Sequence, residues 1–379
     1  MIKSKINKKK KLIKVIDTPL SSFVLEKIFE KETDFDEIIE IKKDYRETKI
    51  TAKNILKISK KKLFLKSKFI TTHSIAIFWS RFKLLNFFKF RKLQKDIFKK
   101  ICFTKDHIYI GSMTSTIMNV IPRSNRIFID SGFGEYSHKI VKISILNKII
   151  DLMKEKISNF IGYPYISFNE KMNSYTVCKI PKFSKNFIDM QIIPINESLK
   201  NSLSRIKKYY PRVNTIFLLS KNWASNYYYK KNKEVDYDRI NFELIKKYMP
   251  KGQKFFIKFH DFSIQSNQVN KSFVKKITSL GYHVVDIDNY FKSNFKGLIP
   301  AEILISRLKL KRVISKYSST LHNICHNTSV DCIMDINSEI QVIHNHSKLY
   351  KSQLLEEFSN RYHFNKLIRG KVNIIPIHE

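Results

Sequence analysis

The segment Arg126-Ile-Phe-Ile-Asp-Ser-Gly-Phe-Gly-Glu-Tyr136 carries an acidic residue, Asp130, from a short apolar run onto a loop. Two of the chain's eight glycines, Gly132 and Gly134, punctuate that loop. Glycine suits a sharp turn or a close approach to a ligand. A carboxylate at the end of a strand beside such a loop is placed to take a proton from an attacking hydroxyl. The same residues also make an ordinary turn, with Asp130 and Ser131 bonding the local backbone. Three more groups invite the same double reading. His260 ends the run Gln253–His260 beside Lys258, and together they can neutralise a phosphate and donate a proton to it; a satisfied histidine on a strand edge is the plainer account. Glu302 follows Pro300 and can hold two ribose hydroxyls, or simply suit a first helical turn. Ser318, Ser319 and Thr320 stand where a strand gives way to a helix, which makes either a phosphate cradle or an N-cap.

All four groups sit where an apolar run ends, so the elements that position them matter. The first half alternates strands at Leu12–Ile16, Asp36–Ile41, His107–Gly111 and Arg126–Asp130 with helical stretches over residues 80–100 and Leu146–Phe160. A helix capped by Ser21 or Ser22 is expected to run to Phe29. The second half repeats the rhythm. Strands are expected at Thr215–Ser220, Gln253–His260, Tyr282–Asp288, Arg312–Ser315 and Asp331–Ile336. Helices are expected at Asp238–Met249, Asn270–Gly281, Ala301–Leu308 and Ser318–His326. Continuous apolar runs of this length suit strands covered on both faces, hence an α/β fold with parallel sheets. The proline-bearing stretch around 195–212 reads as an irregular boundary. The expected domains are 1–200, 201–345, and a helical tail, 346–379, packing back on the first domain.

The charge is unusual: 71 Lys+Arg against 33 Asp+Glu, a formal net charge of +38 in 379 residues. Such a chain attracts polyanions: nucleic acid, anionic lipid, anionic polysaccharide or phosphate-bearing substrates. The four cysteines form no CxxC pair and read as free thiols of a reducing compartment. No apolar run is long enough to span a bilayer, and the run after Lys8–Lys11 is too short and polar for a signal peptide. These features place the chain in the cytoplasm, with the basic N-terminus a candidate for peripheral contact with the anionic inner membrane. Asp286-Ile-Asp288 has the letters of a metal motif, and His322, Cys325 and His326 have zinc-like spacing without a fourth ligand; no metal site is expected. His344-Asn-His346 resembles a nuclease signature only in letters. Tyr227, Tyr228 and Tyr229 form a sugar- or base-stacking candidate, or a plain surface loop.

Taken in order, Asp130-Ser-Gly132, Lys258-Phe-His-Asp261, Pro300-Ala-Glu302 and Ser318-Ser-Thr320 resemble the motif set of the bacterial polysialyltransferases and related lipooligosaccharide sialyltransferases. Those carry an acidic-acidic-Gly motif, then Lys-x-His-Pro, Pro-x-Glu and a Ser-Ser/Thr pair. Gly132 to Ser137 looks most like the polysialyltransferase version, and Val15-Ile-Asp-Thr-Pro-Leu20 resembles these families' Thr-Pro start. The resemblance spans roughly residues 12–325, and its specificity lies in order and placement. Two departures stand out: Ser131 replaces the second acidic residue, and Asp261 replaces the proline.

The resemblance implies a GT-B fold, two Rossmann-like domains facing a central cleft. It implies inverting transfer of sialic acid from CMP-sialic acid to a glycan or glycolipid acceptor, extending an anionic capsular chain, with no metal or cofactor. Asp130 would be the base, with Glu135 the nearest substitute if the family's base is the second acidic position. His260, Ser318 and Ser319 would stabilise the departing phosphate and Glu302 would hold the ribose. Gly132, Lys258 and Thr320 complete the expected substrate-binding set. The alternatives are a related enzyme using another nucleotide sugar and a basic nucleic-acid-binding protein. No nucleic-acid-binding motif supports the latter.

Overall fold

A computed structural model of the chain describes residues 12–16, 19–28, 37–43, 67–72, 84–112, 115–129, 145–160, 175–177, 186–189, 195–219, 237–259, 267–291, 299–316, 318–326, 329–337, 355, 359, 361–366 and 372–375. These residues fall into two compact units, with the change at Asn196–Glu197.

In the first unit β1 (Leu12–Ile16) leads into α1 (Pro19–Ile28), then β2 (Glu37–Lys43), β3 (Ser67–Thr72), α2 (Leu84–Ile101), β4 (Ile108–Ser112), α3 (Thr116–Val120), β5 (Arg126–Ile129), α4 (Ile145–Phe160), β6 (Tyr175–Thr176) and β7 (Asn186–Phe187). The sheet has the order β3-β2-β1-β4-β5-β6-β7, every pair parallel. α1 starts at Pro19 rather than at a serine cap, because proline is pre-set for a first helical turn. β4 is buried along its whole length. Its Gly111 is required: a Cβ there would sit 2.7 Å from the Val15 carbonyl oxygen and 2.9 Å from Met118 Cγ. Ile13, Val15, Tyr109, Met118, Ile97 and Phe128 form the core around that contact.

The second unit opens with α5 (Glu197–Tyr209), followed by β8 (Thr215–Leu219), α6 (Tyr237–Tyr248), β9 (Lys254–Phe259), α7 (Asn267–Ser279), β10 (His283–Asp286), a 3₁₀ turn (Ile287–Tyr290), α8 (Ala301–Leu308), β11 (Arg312–Ser315), α9 (Ser319–Ile324), β12 (Asp331–Met334) and β13 (Val372–Ile374). Its sheet has the order β10-β9-β8-β11-β12-β13, again all parallel. In chain order that is 3-2-1-4-5-6, the doubly wound arrangement of dinucleotide-binding sheets. α5 replaces the irregular boundary expected near 195–212. Leu199, Leu203 and Ile206 make a buried stripe at helical spacing, and α5 packs against α8. Pro194 and Pro211 lie just outside its ends, so they marked its limits and not an irregular interior. The expected strand 282–288 is shorter, because the Asp286 carboxylate accepts the Asp288 N–H at 3.1 Å and turns the chain into the 3₁₀ turn. The tail, expected to be helical, is helical over residues 361–366 and then adds β13 to the second sheet.

Asp335, directly after β12, is buried and holds this unit together at one edge. Its Oδ2 accepts from Lys247 Nζ and Tyr248 O–H of α6, both at 2.6 Å, and its Oδ1 accepts from the Asn337 N–H at 2.9 Å. Burial pushes the carboxyl pKa up, but these donors more than offset it and hold it below its ordinary value. Burial and the Asp335 bond push the Tyr248 phenol far up. A carboxylate with a depressed folded pKa stabilises above its unfolded pKa, near 4. That stabilisation fades as pH falls through the lower folded value. Asp335→Asn is therefore expected to cost about 1–3 kcal/mol at neutral pH. In urea titrations at several pH values, the gap between the variant and the unaltered chain should be steady from about pH 5 upward and shrink below about pH 4.

Candidate active site

In a parallel sheet every strand's carboxyl end lies on one edge. A helix that returns the chain between strands starts near that edge. The chain order 3-2-1-4-5-6 makes β8 and β11 the pair between which the winding reverses, and ligands of such sheets lie outside the carboxyl ends at that point.

At the reversal the Ser315 hydroxyl, at the end of β11, donates to the Leu218 carbonyl of β8 at 3.0 Å. The same oxygen accepts the Ser318 N–H at 3.3 Å. One buried serine thus joins the two central strands and fixes the turn into α9. Ser318 is the N-cap of α9, its hydroxyl oxygen accepting the Thr320 N–H at 3.3 Å. A hydroxyl that accepts a capping bond keeps its hydrogen to donate. Ser318 and Ser319 are half-buried and Thr320 is buried. The capping role is thus met, and Ser318 stands where the sheet reverses.

Glu302 lies in the first turn of α8 and is only 4% exposed. Its Oε1 accepts from Asn323 Nδ2 of α9 at 2.8 Å. The two helices that carry the Pro300–Glu302 and Ser318–Thr320 segments are therefore joined by a side-chain bond. Lys258, near the end of β9, is buried, with Nζ 3.3 and 3.4 Å from the two carboxylate oxygens of Asp288. Its charge is balanced within the unit, and the pair ties the carboxyl ends of β9 and β10. Asp130 directly follows β5 and His260 directly follows β9 in the sequence. Asp130, Gly132, Glu135 and His260 lie outside the described residues, as do Tyr227–Tyr229 and His344–His346.

The metal-like spacings have other occupations. Asp286 accepts from the Asp288 N–H and from Asn289 Nδ2, and Asp288 takes Lys258. His322 is fully buried, edge-on to Phe364 with ring centroids 5.3 Å apart. Burial, with the Arg361 guanidinium near, holds its pKa well below the usual histidine value. Cys325 Sγ donates to the His322 carbonyl at 3.2 Å, and Cys102, Cys325 and Cys332 are free thiols. Among the described residues no cluster of three or more His, Cys, Asp or Glu is placed to hold a metal ion.

Sequence reasoning missed Ser315 and Asn323, and it read Asp288 only as a letter of a metal motif and not as the partner of Lys258. Asp288 had a usable signal: a lone lysine in the apolar run Phe255-Phe-Ile-Lys-Phe259 needs a buried partner. Ser315 and Asn323 had none, since serine at a strand end and asparagine in a short helix are common.

Neither a protein-family model nor a curated protein matches this sequence. Among solved structures, the chain is similar to the GT-B domain of a sialyltransferase from Photobacterium damselae. The identity is 12% over 96% of this chain and 99% of that one, at a TM-score of 0.50. It also aligns with the wall teichoic acid polymerase TagF, at 9% identity over 96% of this chain and 85% of that one, with a TM-score of 0.38. The first likeness establishes the fold: an α/β chain of two parallel-sheet units, of the GT-B type.

Proposed function

We propose that the chain is an inverting glycosyltransferase that moves sialic acid from CMP-sialic acid to a glycan or glycolipid acceptor, extending an anionic chain. One observation carries the reading. Three of the four ordered motif segments, at Lys258, Glu302 and Ser318, belong to the carboxyl edge of one doubly wound sheet. The helices that carry two of them, α8 and α9, are tied by the Glu302–Asn323 bond. That is where a sheet of this order takes a nucleotide. The fourth segment begins at the residue after β5 of the other sheet. The GT-B fold suits the assignment but does not choose the donor.

In this mechanism Asp130 takes the proton of the acceptor hydroxyl as its oxygen attacks the anomeric carbon. The bond from that carbon to the phosphate oxygen breaks, and the electron pair leaves with CMP. His260 and the Ser318 and Ser319 hydroxyls stabilise the negative charge gathering on the departing phosphate. Glu302 holds the ribose with Asn323 fixing its carboxylate, and Lys258 keeps the His260 strand end in place through Asp288. The positive excess concentrates anionic donor and acceptor near the enzyme.

Calorimetry with CMP, UMP, GMP and AMP tests the donor: CMP should bind at least about tenfold tighter than the others, a difference of about 1.4 kcal/mol. Equal affinity for all four would remove the sialyltransferase reading and leave a transferase with another nucleotide sugar. DNA binding in a gel would not discriminate, since charge alone gives non-specific affinity for any polyanion. The roles of the two unplaced residues are tested by turnover. Asp130→Asn should lower kcat about 100-fold or more with CMP binding unchanged, and His260→Ala should lower it comparably. Near-normal turnover in either variant removes that residue from the mechanism, and for Asp130 would pass the role to Glu135.

A further inference from the structure

Helix α4 is inverted relative to an ordinary surface helix. Such helices turn their apolar stripe inward. In α4, Ile149 is 50% exposed, Met153 58%, Ile157 52% and Phe160 93%. At about 100° per residue these four fall within roughly 80° of one another on the helix surface. Ile150 and Leu152, also exposed, border the stripe. Among the helix residues whose burial is described, the buried one is an acid: Glu155, on the other side, is ion-paired to Arg123. Lys156 and Lys154 are exposed, the first among the apolar residues and the second at their border. A contiguous apolar face of this kind marks a contact surface.

We propose that this face docks on an anionic lipid surface. α4 would lie in the plane of the interface, with Ile149, Met153, Ile157 and Phe160 in the boundary between headgroups and acyl chains and Lys154 and Lys156 reaching the lipid phosphates. Charge decides the occupant. The chain carries a formal +38, so a second copy presents the same sign and the same exposed lysines to this face. An anionic leaflet presents the opposite sign. Among the described residues no helix is long and apolar enough to cross a membrane, so the contact is peripheral. It is separate from the donor chemistry and does not depend on it.

The test uses the full chain and vesicles of phosphatidylcholine with or without phosphatidylglycerol. The chain should co-sediment with the anionic vesicles, more weakly as salt rises, and not with phosphatidylcholine alone. The double variant Met153→Gln/Phe160→Ser should bind roughly tenfold more weakly or worse, with an unchanged thermal melt because both side chains are exposed. A second variant, Phe160→Trp, reports the helix directly: its indole emission should shift to the blue on adding anionic vesicles. Undiminished sedimentation of the double variant, or no blue shift while the chain sediments, overturns the proposal and moves the contact to other basic residues. Failure to bind anionic vesicles overturns it too. So does a dimer in sedimentation velocity that the double variant dissolves, which would make a second copy the occupant.

Discussion

A parallel sheet imposes one constraint on everything around it: each strand must be re-entered from the same side, so all the carboxyl ends share one edge. In the second unit the order β10-β9-β8-β11-β12-β13 makes the winding reverse between β8 and β11. Ser315 sits at that reversal and is used twice, as donor to β8 and as acceptor from Ser318. The turn that presents Ser318 is therefore set by the same residue that joins the central strands. Rossmann-like order and site geometry are one feature at this point.

Four buried charges gather on that edge. Asp335 follows β12, Asp288 follows β10, Lys258 lies near the end of β9, and Glu302 opens α8. Burying an ion pair stabilises little in net terms, because lost hydration offsets the attraction, and apolar residues of the same volume often do as well. What such pairs supply is fixed geometry: Lys258 cannot leave Asp288 without giving up a buried carboxylate partner. Most buried strand residues are Val, Ile, Leu and Phe, with Lys14, Arg126 and Lys258 as charged exceptions, and the apolar ones pack tightly but specify no direction for a polar group. The partners at the strand ends supply that direction.

The sequence disclosed the strands of the second unit well, because TIFLL and KFFIKF are runs that water would not tolerate on either face. Helix α8 and strand β11 were readable to the residue, since Pro300 fixes one start and the change at Leu308–Lys309 one end. What escaped were elements whose apolar content is thin. α5 hides three buried residues among lysines and serines, and β13 is three residues long. The candidate site was readable as residue types expected at strand ends: Lys258 and Ser318 fall near such ends, Glu302 opens α8, and Asp130, Gly132, Glu135 and His260 lie outside the described residues. Its wiring was not, since a bond such as Asn323 to Glu302 depends on how two short helices meet, and no periodicity encodes that.

Among the described residues five Lys and Arg side chains, Lys14, Arg126, Lys258, Lys316 and Arg361, are buried, and many of the other lysines lie at the surface. The buried acids Glu155, Asp288, Glu302 and Asp335 all have partners. The lysines of α5 and α7, such as Lys207, Lys208, Lys275 and Lys276, face solvent. Charges in water contribute little stability as pairs, and a large net charge works against compactness by self-repulsion. A chain that tolerates +38 gains nothing structurally from it. Its effect lies beyond the surface, in a field that favours anionic partners and is screened within about 8 Å at physiological salt. That range reaches a phosphate, a sugar carboxylate or a lipid headgroup at contact and little further. The field can raise the local concentration of such groups, but selection among them must come from short-range geometry.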